Sequence, residues 1–133
     1  MPRVKRLAAP LLSESWRTIP HVTHHDEADV TELENFRKNL KDGYTGEQKK
    51  ITPLAFIIKA LVKSMMKYPI FNSSIKDEEN YQIILKKYFH IGIAVDTPHG
   101  LMVPKIRDAD KFKIYDLSQK LKEVSDKCRN LKI

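Results

Sequence analysis

At 133 residues, with 41% hydrophobic and 31% charged content, the chain is large enough for one domain with a core and too small for two. A single cysteine, Cys128, excludes an internal disulfide and fits a reducing, cytoplasmic compartment (mitochondrial in a eukaryote). The net charge of +7 raises anions as partners, but Lys and Arg alternate with Asp and Glu and basic runs stop at doublets such as Lys49-Lys50 and Lys86-Lys87, which argues against a dedicated nucleic-acid surface.

The opening segment, MPRVKRLAAPLLSESW, is too polar for a secretory signal. Its pattern predicts a helix from about Val4 to Thr18, with Leu7, Leu11 and Leu12 on one face and Pro10 as the discordant residue. Ile19-Pro20 ends it, because a residue before proline avoids helical geometry. His21 to Glu27 reads as extended. A second helix is expected at Thr31, where Thr31-Glu32-Leu33-Glu34 has the form of a capping box, and Leu33, Phe36 and Leu40 supply its apolar face. Lys41 to Lys50, with Gly43 and Gly46, reads as a surface loop.

A third helix is expected from Pro53 to Tyr68, capped by Thr52 and started by proline. Apart from Ser64 and the lysines at 59, 63 and 67 it is almost wholly apolar, which predicts that most of its circumference is covered. Broken by Lys59, its apolar run is too short to cross a bilayer. Phe71 to Lys76 and Tyr81 to Lys86 read as strands around the turn 77–80. Tyr88 to Asp96 alternates with period two, placing Phe89, Ile91, Ile93 and Val95 against a helix layer and leaving His90, Gly92, Ala94 and Asp96 opposite. After the turn 97–100, Leu101 to Ile106 returns as a strand, with Pro104 at an edge or bulge. The last helix, Lys113 to Leu131, carries Ile114, Leu117, Leu121, Val124, Cys128 and Leu131 at three-four spacing; about two and a half heptads favour a helix on a sheet over a coiled coil. This order of elements gives an α+β class, a mixed sheet flanked by helices.

Spacing alone yields little chemistry. His21 and His25, on one face of an extended segment, stand about 13 Å apart, too far to share one metal ion. No Cys-x-x-Cys, His-Glu-x-x-His or glycine-rich phosphate loop is present, so no metal is expected. Cys128, on the apolar seam of the last helix, reads as a small core residue rather than a nucleophile.

Five segments, taken together, carry a resemblance: Ser13 to Thr23 (SESWRTIPHVT), His24 to Arg37 (HHDEADVTELENFR), Lys50 to Leu61 (KITPLAFIIKAL), Tyr68 to Ser74 (YPIFNSS) and Ile91 to Pro104 (IGIAVDTPHGLMVP). In order and spacing, from about Arg6 onward, the chain resembles the catalytic domain of the dihydrolipoyl acyltransferases of 2-oxo acid dehydrogenase complexes, bacterial acetyltransferases above all. The resemblance implies a chloramphenicol-acetyltransferase-like fold, assembly as homotrimers and then cubic or dodecahedral cores, and acyl transfer between the dihydrolipoyl group of a lipoyl domain and coenzyme A. It also implies contact with the other dehydrogenase-complex components, and neither a membrane nor nucleic acid as partner.

The family's base, in a His-x-x-x-Asp-Gly motif, and its oxyanion-stabilising serine, in a Thr-Ile-Ser strand, are expected beyond Ile133. On this reading residues 1–133 are a single, incomplete catalytic domain, the amino-terminal half, inert alone and with no catalytic residue of its own. His25-Asp26-Glu27-Ala28-Asp29 has the histidine–aspartate spacing, but lacks the glycine and falls inside another matching segment, so it is not that motif. Bacterial relatives tend to carry an arginine two residues before the tryptophan; here Glu14 stands there and Arg17 follows Trp16. The resemblance places Asn72, Ser73, Asp96, Thr97, His99, Gly100 and Leu101 near the substrate channel, although turn and strand-end roles explain the same residue types. Two readings from other classes remain: a non-enzymatic structural or oligomerisation module derived from this fold, and an anion-binding domain.

Overall fold

A computed structural model describes residues 3–98 and 100–130. Helix α1, Arg3–Thr18, runs through Pro10 and stops before Pro20 as expected. Leu7, Leu11, Leu12 and Trp16 are all at least 62% exposed, so an apolar stripe faces solvent. Residues 19–30 follow without regular structure and are exposed throughout.

Helix α2, Thr31–Asn39, starts one residue earlier than a capping box on Thr31 requires, and Val30 takes the cap position. The box does not form. Asp29 Oδ1 accepts the Thr31 N–H at 2.9 Å instead, and Glu34 turns to Arg37. Asp29 thus accepts the N–H that the Glu34 carboxylate would take in a capping box, and the Glu34 N–H donates to the Val30 carbonyl at 2.9 Å where the box would use the Thr31 hydroxyl. Residues 41–50 close on themselves through the Lys41–Gln48 bridge and the Asp42–Lys49 ion pair at 2.7 Å, with Gly46 at φ +70° supplying the left-handed step.

Helix α3, Pro53–Lys67, is capped as its sequence dictates: Thr52 Oγ1 accepts the Leu54 N–H. A short 3-10 helix, Pro69–Asn72, follows, so the expected strand from Phe71 begins only at β1, Ser73–Asp77. Antiparallel β2, Gln82–Leu85, pairs Ser74 with Ile84 and Ile75 with Ile83. A second pair, β3 (Ile91–Gly92) and β4 (Lys105–Ile106), is also antiparallel, and the chain ends in α4, Ile114–Arg129. The α+β class is therefore as expected, but the strands form two separate two-stranded sheets among the described residues instead of one mixed sheet.

Proline explains why the strand expected over 88–96 is so short. The bridge between Val95 and Met102 keeps the register of Ile91 with Ile106, so Ile93 lies opposite Pro104. Ile93 donates to the Pro104 carbonyl at 3.0 Å, and Pro104 has no N–H to return. Ladder pairing lapses there while the hairpin continues. Facing is as the alternation requires: Ile91 lies in the core and Ile93 packs against it, and Gly92 and Ala94 stay exposed.

The core is the meeting of α3, α4 and the β3–β4 hairpin, with Ala55, Ile58, Val62, Ile91, Ile106, Ala109, Leu117 and Leu121 buried together. The last helix's seam is covered: Leu117 and Cys128 are fully buried, while Leu131 lies outside the described residues. By contrast, α3 is covered on one face only. Ile57, Leu61 and Met66 are exposed, contrary to the expectation of near-complete coverage. Both faces of the β1–β2 hairpin carry exposed apolar side chains, among them Ile75, Ile83, Ile84 and Leu85. The accessible surface is 11211 Å²; a folded monomer of this mass exposes about 7,200 Å². No helix among the described residues is long and apolar enough to cross a membrane.

Candidate functional site

A cleft of about 710 Å³ lies where the start of α3, the chain at Ile93–Asp96, Arg37 of α2 and one side of α4 converge. Its floor is set by a long-range hydrogen bond. The Thr52 N–H, one of the orphan donors at a helix start, donates to Ser118 Oγ at 3.1 Å. Ser118 is 6% exposed, so its hydroxyl is a structural acceptor tying the start of α3 to α4.

Arg37 braces the adjacent wall. Its Nε and Nη2 donate to the two Glu34 oxygens at 3.0 and 2.6 Å, and Nη1 donates to the Ile51 carbonyl at 3.1 Å. The bidentate pair holds the Glu34 carboxyl below its usual range, burial opposing, and raises the guanidinium's own pKa. Arg37 is thus spent on structure. Lys50, Lys122 and Arg129 bring further positive charge to the lining and Asp96 one negative charge. Lys50 and Lys122 have no hydrogen-bond or ion-pair partner among the described residues.

The cleft can therefore attract and hold an extended anionic molecule. It has no chemistry of its own among the described residues. Its lining contains no histidine or cysteine, and the Thr52 and Ser118 hydroxyls both serve the helix junction. No cluster of three or more His, Cys, Asp or Glu side chains suited to a metal ion occurs among the described residues.

Of the residues the resemblance places near a channel, Asp96 lines this cleft. The others are placed differently. Asn72 Nδ2 donates to the Lys86 and Tyr88 carbonyls, both at 3.0 Å, stitching the 3-10 helix to the chain after β2. Ser73 Oγ donates to the Ile70 carbonyl. Thr97 is buried and its Oγ1 donates to the Gly100 carbonyl at 2.7 Å, while the Gly100 N–H returns a bond to the Thr97 carbonyl. Gly100 has φ +120°, a conformation open only to glycine. Leu101 is exposed, and His99 lies outside the described residues. Arg17 pairs with Glu14 at 2.6 Å on an exposed face of α1, and His25 is exposed.

Sequence reasoning missed Lys50, Ser118, Lys122 and Arg129 as cleft residues. The available signal was Ser118 itself, a polar residue beside Leu117 and one turn before Leu121 on a helix whose other buried positions are apolar.

Comparison with known proteins gives this geometry a context. The family model described as 2-oxoacid dehydrogenases acyltransferase (catalytic domain) matches residues 1–133. The acetyltransferase component of the pyruvate dehydrogenase complex of Cupriavidus necator is 47% identical over 131 residues, covering 98% of this chain and 23% of that protein. A crystal structure of Azotobacter vinelandii dihydrolipoamide acetyltransferase superposes with a TM-score of 0.91 at 40% identity, covering 100% of this chain and 54% of that one. The cubic core of the pyruvate dehydrogenase multienzyme complex superposes at 0.90 and 40% identity, covering 99% and 54%. The chain thus spans about a quarter of the curated relative and about half of the solved domains, with the same arrangement of elements throughout. It belongs to the family of 2-oxoacid dehydrogenase acyltransferase catalytic domains.

Proposed function

We propose that this chain forms the amino-terminal half of an acetyltransferase domain of a pyruvate dehydrogenase complex, a domain that moves an acetyl group between a dihydrolipoyl group and coenzyme A. The observation that carries the reading is the match of the chain over its length to 54% of a dihydrolipoamide acetyltransferase at a TM-score of 0.91. The excess accessible surface supports it, since Ile57 and Leu61 of α3 and the β1–β2 hairpin present apolar area that a larger fold buries.

Within that domain the cleft receives the phosphate-bearing end of coenzyme A. Lys50 and Lys122 contribute unpaired positive charge there, Arg129 adds a third cation, and Asp96 sits at the edge toward the Thr97–Leu101 turn. Asn72, Ser73, Thr97, Gly100 and Leu101 shape the channel indirectly, by fixing the backbone that borders it. The general base and the oxyanion donor come from the rest of the domain. The complete protein forms homotrimers and a cubic or dodecahedral core, engages a lipoyl domain, and works in the cytoplasm.

The test is a fusion of residues 1–133 to the half of the Azotobacter vinelandii catalytic domain that the superposition leaves uncovered. Acetyl transfer from acetyl-CoA to dihydrolipoamide is then measured. Turnover by the fusion is expected. A fusion that folds and assembles but transfers no acetyl group contradicts the reading and favours a structural module, for which the uncovered apolar faces are the supporting observation.

A further inference from the structure

A second hollow, about 400 Å³, opens between α4 and the chain from Pro104 to Phe112. Its floor is apolar: Phe112 and Val124 are half-buried and Cys128 fully buried. Its rim is cationic, with Lys105, Arg107, Lys120 and Lys127 against one carboxylate, Glu123. That carboxylate is already satisfied, Lys120 donating to one oxygen at 2.9 Å and Lys127 to the other.

Lys105 and Arg107 are in a different position. They flank Ile106, which is 1% exposed and anchored in the core. Residues i and i+2 of an extended segment project to the same side, so burying Ile106 turns both cations outward together. Both are exposed, and neither has a hydrogen-bond or ion-pair partner among the described residues. The structure therefore holds two unpaired cations beside an apolar floor, a combination that favours a ligand with both carboxylates and an apolar tip.

We propose that this hollow docks a short acidic segment of a partner protein, seating one aliphatic or aromatic side chain on Phe112 and Val124 with flanking carboxylates on Lys105 and Arg107. Its size suits one or two side chains. A nucleic-acid strand fits less well, because phosphates passing along α4 meet Glu123 and the floor offers a recess where a stacked base needs a raised aromatic platform. A membrane surface fits less well too, because the apolar atoms lie below the charged rim, and interfacial binding needs them above it. The hollow shares Val124 with the larger cleft, but the cations that define it do not: neither Lys105 nor Arg107 lines that cleft.

The probe is the fluorescein-labelled, end-blocked peptide Glu-Asp-Leu-Leu-Asp-Glu, followed by fluorescence anisotropy against the fusion that completes the domain, so that self-association of the 133-residue chain does not enter the reading. Saturable binding is expected. Replacing both leucines by serine should weaken it roughly tenfold or more, and Lys105→Glu with Arg107→Glu should weaken it by about tenfold or more. The control pair Lys41→Glu with Lys76→Glu makes the same change in net charge at exposed positions elsewhere and should leave affinity within about twofold. Equal binding of the leucine and serine peptides, or equal loss in the control pair, would mean general attraction to a basic protein and overturn the proposal. So would binding of duplex DNA or anionic vesicles, dependent on Lys105 and Arg107, by a chain that ignores the peptide.

Discussion

The Thr52 N–H and Ser118 Oγ, 66 residues apart in sequence, meet at 3.1 Å, and that bond fixes the start of α3 on α4 beneath the cleft. Ser118→Ala leaves a half-buried helix-start donor without its acceptor, which costs about 1–3 kcal/mol. Urea unfolding followed by circular dichroism should show this as a lower midpoint with an unchanged slope. A midpoint equal to that of the unmutated chain would mean water replaces the hydroxyl at no cost.

Gly92 has little room for a side chain within the hairpin. A Cβ there meets Val103 Cγ1 at 3.0 Å, a distance that forces the valine to move. Val103 is exposed and free to yield, so Gly92→Ala should destabilise by only about 1 kcal/mol. Combining it with Val103→Ala should recover most of that loss in a double-mutant cycle. Additive effects would place the strain somewhere other than this contact.

Acid sensitivity should come from two carboxylates. Glu123 is pulled from its ordinary 4.5 to about 2, first by the hydrogen bond from Lys127 and then by Lys120. Asp42 is lowered well below the usual carboxylate range by Lys49 and by the N–H groups of Tyr44 and Thr45. A depressed folded-state pKa gives stability that is present above the unfolded value and lost as pH falls through the folded one. The loss therefore falls between about pH 4.5 and 2 for Glu123. Glu123 is exposed and Asp42 half-buried, so salt reduces the effect, more at Glu123. Glu123→Gln should flatten the decline of the urea midpoint across that window, and an unchanged decline would remove Glu123 from the account.

Helix α1, the outer face of α3 and the β1–β2 hairpin each leave large apolar side chains in water, so the chain alone should self-associate or bind a hydrophobic dye. Sedimentation velocity over a hundredfold range of concentration reads this directly. A single monomeric boundary with no dye binding would show that these faces are tolerated as surface.

In the fusion that completes the domain, Lys50→Glu with Lys122→Glu should raise KM for coenzyme A by about tenfold while moving kcat and KM for dihydrolipoamide little. Equal loss for both substrates would point to a structural defect instead.

Much of this fold is legible in the residues. Thr52-Pro53 marks the start of α3, the three-four spacing from Ile114 marks α4, and the alternation from Phe89 marks the hairpin and its inward face. Other features depended on competition between neighbours. Asp29 took the Thr31 N–H in place of the Glu34 carboxylate at α2, Pro69 opened a 3-10 turn where β-branched and aromatic residues favoured a strand, and Pro104 cut the ladder by lacking one N–H. The candidate cleft was least legible, because Lys50, Asp96, Ser118 and Lys122 come from distant segments and share no local pattern. Asn72 and Ser73 stood out by resemblance, yet their side chains are occupied with backbone carbonyls.

We propose that these 133 residues hold part of an acetyltransferase domain, with the reacting groups in the rest of it. The most direct test is turnover of acetyl-CoA with dihydrolipoamide by the 133-residue chain itself. No rate above the uncatalysed reaction is expected, because absence of both a base and an oxyanion donor removes many orders of magnitude. Measurable turnover that is abolished by His25→Ala would contradict the claim and make His25, exposed in the segment before α2, a catalytic base.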